Sequence, residues 1–319
     1  MKQRALYLVV LSLVLGLTVL LAAPLAVGAE KDKNLTFYWI SHGSEGDPIW
    51  IFALRGAKNA AEDLGVNLKS SFHHNDISTH KEAFKAALAA KADGIATSSP
   101  DRGVLKEEVE MAKKRGIPVV FFNADDPDTQ RDAYVGADNV TVGKSWASYL
   151  VDNGFVEEGD FVWMPVEVPG ATYQRQETKG ISSVFDPLGV EYTVFDAKYD
   201  PVQSLENMKS YLGAHKKKVD AIIGLGDMVM GNIKETFDSA GVKPGEIPVV
   251  GWGNSADTAQ EVKEGYVEAA TWQYPQSQGY MPIVLLNMVN RGLPIGYNVT
   301  TVALYEQDQA DTYLELASQ

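Results

Sequence analysis

The sequence predicts an α/β protein of parallel strands joined by helical crossovers, laid out twice along the chain. Short apolar runs alternate with amphipathic segments, as parallel strands with helical returns require. The second half repeats the scheme of the first. The chain has 319 residues, 45% of them hydrophobic and none of them cysteine, so each half stands on an apolar core with no disulfide to hold it.

The elements follow in order. Residues 35–40 read as the first strand, and the loop 41–46 follows it. Asp47 then stands at an N-cap position with Pro48 first in the helix and Gly65 as its stop, which predicts a helix over 48–64. Residues 66–72 form the second strand; Thr79 with Glu82 makes a capping box that opens a helix to about Lys91, with Ala83, Phe84, Ala87 and Leu88 at helical spacing. A strand at 94–97, a helix near 105–115 and a strand at 118–122 complete the first half. Strands at 161–165, 191–195, 221–224 and 248–252 carry the second. Ligands in such sheets bind at loops on the carboxyl ends of strands. Here those loops are 41–47, 73–78, 98–102, 123–128, 166–175, 226–228 and 253–255.

The first residues read as an export signal. Lys2 and Arg4 precede an apolar stretch over 5–23, Pro24 breaks it, and Val27-Gly28-Ala29 supplies small residues for cleavage before Glu30. An uncleaved anchor is the rival reading, since such a stretch can just span a bilayer. With 28 basic against 42 acidic side chains the formal charge is −14, which argues against a nucleic-acid partner.

Several motifs fall short of a chemistry. Gly224, Gly226 and Gly231 miss the dinucleotide register, and the chain contains neither a phosphate-binding G-x-x-x-x-G-K-[ST] loop nor a G-x-S-x-G nucleophile elbow. His73, His74, Asp76 and His80 offer zinc-type donors at a spacing that matches no standard site, so no cofactor and no metal are expected. His42 and His215 stand alone. The aromatic residues say more: Trp50 follows a ligand-type loop, Trp252 ends a strand at the same edge, and Tyr173 and Arg175 stand in the loop 166–175. A flat ring suits the apolar face of a sugar, and polar side chains suit its hydroxyls; packing between helix and sheet is the alternative for both tryptophans.

Taken together, Gly46-Asp47-Pro48-Ile49-Trp50, Ala92-Asp93-Gly94-Ile95-Ala96, Gly116 through Asn123, Gly136-Ala137-Asp138-Asn139, Ile247 through Trp252, Ala270 through Pro275 and Gln278-Gly279-Tyr280 resemble the periplasmic sugar-binding proteins of ABC transporters, in the ribose-binding or simple-sugar branch of the type I fold. The resemblance implies two doubly wound parallel-sheet lobes joined by a three-strand hinge, with crossings near 136–138, 273–274 and 297–300. The corresponding division is a signal peptide over 1–29, a first lobe of 30–136 plus 274–298, and a second lobe of 137–273 plus 299–319. It further implies that Asp47, Trp50, Asn123, Asp125, Tyr173, Arg175, Asp227, Trp252, Asn254 and Gln273 line the ligand cleft. Departures are visible. Ala124 replaces an arginine of the ribose-like members, Glu177 falls where their cleft arginine aligns strictly, and Gly253 replaces an aspartate, which argues for another monosaccharide or a polyol.

The expected function is therefore a non-enzymatic, periplasmic and monomeric protein that captures a sugar or polyol and delivers it to an ABC permease with a separate ATPase, meeting the membrane only through that permease. A sensing subunit for a chemoreceptor or histidine kinase is the alternative, and an exported enzyme a further one. Repressors with the same two-lobed body carry a basic helix-turn-helix where this chain carries the export-like segment.

Overall fold

The computed structural model describes residues 34–45, 48–99 and 101–318. The expected export signal and the expected cap and ligand residue Asp47 lie outside the described residues.

The elements run β1 (Thr36–Ser41), α1 (Pro48–Leu64), β2 (Asn67–Phe72), α2 (Ile77–Ala89), β3 (Gly94–Thr97), α3 (Lys106–Lys114), β4 (Val119–Phe122) and β5 (Ala133–Gly136). They continue through α4 (Asn139–Asp152), β6 (Phe161–Val166), α5 (Thr172–Leu188), β7 (Glu191–Asp196), α6 (Pro201–His215), β8 (Ala221–Gly224), α7 (Asp227–Met230) and α8 (Ile233–Ala240). The last are β9 (Val249–Trp252), α9 (Ala256–Glu264), β10 (Ala269–Trp272), α10 (Pro275–Asn290), β11 (Asn298–Thr300), β12 (Ala303–Glu306) and α11 (Ala310–Ala317). Among the described residues no helix is long and apolar enough to cross a membrane.

Two six-stranded sheets organise these elements, as the predicted fold class requires. The first has the order β11-β5-β4-β3-β1-β2 and the second β12-β10-β9-β8-β6-β7. Every pairing is parallel except β10 with β12, which is antiparallel. Central strands such as β3, β4, β8 and β9 are buried along their whole length, whereas no residue of the edge strands β2 and β7 is fully buried. This is why the central strands read as unbroken apolar runs. The chain passes between the sheets after β5, after β10 and after β11, and β11 keeps Val299 and Thr300 in the first sheet.

Each lobe is closed by one intimate helix pair. At Gly56 and Gly279, α1 and α10 approach so closely that a Cβ on either glycine would overlap the carbonyl oxygen of Gln276 or Ala53. In the second lobe Gly143 and Gly180 bring α4 and α5 together in the same way, against the carbonyls of Glu177 and Val140. Buried side chains fill the rest: Ile40, Phe84 and Phe121 in the first lobe, and Trp163, Phe185 and Phe237 in the second. Each contributes about 1.5–3 kcal/mol by leaving water.

One expected helix start is corrected. α2 begins two residues before Thr79, because Asp76, in extended conformation, accepts from the backbone N–H groups of Ser78 at 2.9 Å and Thr79 at 3.1 Å. Thr79 lies inside the first turn, its hydroxyl turned to the Asp76 carbonyl. An aspartate three residues earlier outcompetes the Thr-Glu pair, since its shorter charged side chain satisfies two free N–H groups at once.

Candidate ligand-binding cleft

Strand ends of both sheets converge on Gln273, which follows β10 at the second passage between lobes. From the first sheet Asn123, directly after β4, donates its side-chain amide to Gln273 Oε1 at 3.3 Å and Gln278 Oε1 at 3.0 Å. From the second sheet Asn254, after β9, accepts the Gln273 backbone N–H at 2.8 Å. Asn254 also donates its side-chain amide to both carboxylate oxygens of Asp227, at 3.0 and 2.9 Å, and its backbone N–H to one of them. Asn123, Gln273, Asn254 and Asp227, all expected from the sequence, thus form one polar seam across both lobes.

The seam bends the backbone. Asn123 takes φ +59° and Tyr274 φ +52°. The left-handed region is tolerable for asparagine and strained for a bulky tyrosine. The buried Gln278 on α10 ties the turn on both sides of Tyr274, its side-chain amide donating to the Gln273 carbonyl and its backbone N–H to the Tyr274 carbonyl, each at 3.1 Å.

On the first-lobe side Trp50 lies against the bare backbone of Gly43, where any Cβ would overlap the indole. Its ring meets the edge of His42 at 4.8 Å and of Phe122 at 6.3 Å, so it abuts the strand end that carries Asn123. His42 Nδ1 pairs with Ser98 Oγ at 2.6 Å, and His80 Nε2 with Thr97 Oγ1 at 2.9 Å. Burial, and secondarily the charge of His80, pushes His42 down to about 3; burial and then His73 push His80 down to about 4. Both are neutral at ordinary pH. His73 stacks on His80 and bonds Ser71 and Thr79, while Asp76 caps α2, so these groups serve the loop and helix around them.

Asp125 is committed to Arg131. The guanidinium reaches both its oxygens, bonds Asn298 Oδ1 at 3.2 Å, and lies 4.3 Å from the centre of the Tyr297 ring. Burial raises the Asp125 carboxyl despite that partner.

The second-lobe wall is acidic. Glu167, immediately after β6, accepts the N–H groups of Met228 and Val229 at the start of α7 and lies flat on Gly226. Tyr173 on α5 donates to the same carboxylate, and burial raises both groups. Trp252 is buried edge-on against Trp146, with Nε1 donating to Glu177 Oε1 at 2.9 Å. Burial lifts Glu177 well above the usual carboxylate range, and Glu167 and Asp227 push it further. Arg175 is exposed and turns its guanidinium onto the Gly170 carbonyl and Thr172 Oγ1.

Sequence reasoning missed Glu167, Gln278 and Arg131. Glu167 is the first residue past a strand end, a signal the loop boundaries already contained. Gln278 lies in a quoted motif, one helical turn from Gln273. Arg131 carries no local signal, because its partners come from β11 and the preceding loop.

The profile of the periplasmic binding protein domain matches residues 37–293. The D-xylose-binding periplasmic protein of Escherichia coli is 25% identical over 60% of this chain and 58% of its own length. The D-allose-binding periplasmic protein of the same organism is 24% identical over 75% of this chain and 80% of its own. A carbohydrate transporter from Acidothermus cellulolyticus, solved with myo-inositol, superposes with a TM-score of 0.76 at 22% identity, covering 89% of this chain and 98% of that one. These relatives are named for binding or transport, not for catalysis. The family expected from the sequence is the family found: the chain belongs to the periplasmic binding proteins.

Proposed function

We propose that this protein captures a monosaccharide-like ligand between its two lobes outside the cytoplasmic membrane and hands it to an ABC permease driven by a separate ATPase. The observation that carries the reading is the seam from Asn123 through Gln273 and Asn254 to Asp227. It places side-chain amides from both lobes and one carboxylate, that of Asp227, in one continuous line. A ring of hydroxyls can exchange into such a line group by group, and each exchange couples the ligand to both lobes at once. The names of the xylose- and allose-binding relatives support a sugar, and the myo-inositol complex supports a polyol as the alternative of similar shape.

In this reading Trp50 supplies the apolar face from the first lobe and Asp47 and Asn123 the polar contacts beside it. Tyr173, Asp227, Trp252, Asn254 and Gln273 serve from the second lobe and the hinge. Asp125 and Arg175 stand at the rim, each bound to protein groups that a ligand would have to replace. The protein acts as a monomer in the periplasm.

A thermal-shift screen of the exported chain against pentoses, hexoses and polyols tests the assignment. A true ligand at a hundredfold excess over its Kd adds about 2.7 kcal/mol and raises the melting temperature. Asn254→Ala, which opens the seam, is expected to abolish that rise. A broad panel with no rise at all overturns the reading.

A further inference from the structure

The side chain of Asn123 belongs to the seam, but its backbone is held from elsewhere, by Tyr134 on β5. Asn123 lies at φ +59° in the middle of a three-residue turn, which the Ala124 N–H closes onto the Phe122 carbonyl at 2.7 Å. Asparagine tolerates that φ, but so tight a turn about a positive φ is rare and strained, and it persists only where its surroundings hold it. The strand ladder supplies one hold, the Asn123 N–H on the Val135 carbonyl at 2.9 Å. The Tyr134 hydroxyl supplies another, donating to the Asn123 carbonyl at 2.7 Å.

The same hydroxyl lies 3.0 Å from the Ala137 carbonyl, where the chain leaves β5 on its first passage between the lobes. A phenol carries a single donor hydrogen, so the two carbonyls share it. The ring is buried and laid on the bare backbone of Gly136, where a Cβ would overlap the hydroxyl. Burial, and then the charge of Asp125, raises the phenol far above its ordinary range, so it keeps its proton and remains a donor. Asn123 is thus gripped from two of the three passages: its amide by Gln273 at the second, and its carbonyl through Tyr134 at the first.

We infer that Tyr134 is a positioning residue for capture, whose hydroxyl fixes the turn that aims the Asn123 amide at the seam and ties that turn to the first passage. The inference rests on the sugar-capture reading and adds to it a residue that acts through Asn123. Tyr134→Phe keeps the ring on Gly136 and deprives the Asn123 carbonyl of that donor. The turn then relaxes, and the amide loses its aim.

Isothermal titration of the exported chain with D-xylose, D-ribose, D-allose, D-galactose and myo-inositol tests this as a double-mutant cycle. Tyr134→Phe is expected to weaken each of these that binds by about fivefold to tenfold, the loss of one hydrogen bond. In an Asn123→Gly background, where the amide is already gone, the same change is expected to alter affinity by less than about twofold. Tyr266→Phe, which drops a hydroxyl bond to Asp238, should leave affinity unchanged. A ligand-free measurement runs beside the cycle: the NMR signal of the Asn123 side-chain amide should shift and exchange faster in Tyr134→Phe and stay in place in Tyr266→Phe. That signal keeps the test standing if Asn123→Gly binds too weakly to titrate. Full affinity in Tyr134→Phe, an equal loss in both backgrounds, or an amide signal that does not move overturns the inference and leaves sugar capture intact. Binding by none of the five, with the amide signal moved, overturns capture and leaves Tyr134 as the residue that places Asn123.

Discussion

The two lobes share a scaffold and differ at their rims. Strand order 2-1-3-4-5 in the first recurs as 7-6-8-9-10 in the second, and each sheet is completed by one late strand, parallel in the first and antiparallel in the second. Each is closed by a helix pair in glycine contact. Each also uses a loop glycine to let a cleft side chain lie on bare backbone, Gly43 beneath Trp50 and Gly226 beneath Glu167. The rims diverge in composition: neutral imidazoles, an indole and the Asp125–Arg131 ion pair on one side, and the buried acids Glu167 and Glu177 with Asp227 on the other. Burial thus dictates the repeated part, and the strand-end loops, free of that constraint, carry the chemistry.

If the scaffold is truly repeated, matched lesions should cost the same. Gly56→Val and Gly180→Val each drive a side chain into a backbone carbonyl of the facing helix. Replacing a helical glycine gains up to about 1 kcal/mol in propensity, but overpacking costs about 1–3 kcal/mol and backbone cannot rotate aside. Both variants should lose about 2 kcal/mol, read as lowered urea midpoints. One silent variant would break the comparison.

The rims should respond to pH in opposite directions. In the first lobe the folded chain keeps His42 and His80 neutral down to about 3 and 4, whereas unfolded histidine titrates near 6.5. The unfolded state then binds more protons, so this contribution is complete above 6.5 and is lost as pH falls toward 3–4. In the second lobe burial raises Glu177 and Glu167 at the rim, and it pushes Glu261, which accepts the Lys234 backbone N–H from its place on α9, up to about 8. There the folded state binds more protons, so stability is complete below 4.5 and is lost as pH rises toward 8. Each group changes stability by at most about 1.4 kcal/mol per pH unit within its window. Hydrogen exchange corrected for intrinsic rates should show β1 and β3 losing protection in acid and β6 and β8 losing it toward pH 8. Glu261→Gln should flatten the second trend. Asp125 is raised as well, so Asp125→Asn isolates the histidine contribution in the first.

What the sequence revealed follows the same division. Strands β3 and β8 were legible to the residue because four consecutive buried positions leave no alternative, and α1 was legible from its proline start and the glycine stop at φ +64°. β5, β10, β11 and β12 were not read as strands: they have three or four residues each and are defined by partners distant in sequence. At the cleft, Asn123, Asp227, Asn254 and Gln273 were legible because Asn123 and Gln273 directly follow strands, Asp227 opens the helix after one, and Asn254 lies in the short loop after β9. The opposite fates of Arg175 and Glu177 were not. Two residues apart on one helix, they differ by which face of α5 meets Trp252, and only the packed structure decides that.

The smallest expected difference lies between two helix caps at equivalent places, after the edge strand of each sheet. Asp76 accepts from two backbone N–H groups at the start of α2. Asp200 accepts from one, that of Gln203 at 3.0 Å, with Pro201 as the first residue of α6. Loss of a cap costs typically about 1 kcal/mol, so Asp76→Ala should fall near that figure and Asp200→Ala nearer to half of it, both read from urea midpoints. Asp76 has a second role that Asp200 lacks. Its charge holds His73 up against the burial that lowers that imidazole. Asp76→Asn keeps an acceptor for the two N–H groups and discards the charge. It should therefore retain most of the helix stability while the His73 titration, followed by NMR, moves further down. If His73 does not move, the acid response assigned to the first rim owes nothing to its carboxylates and belongs to burial alone.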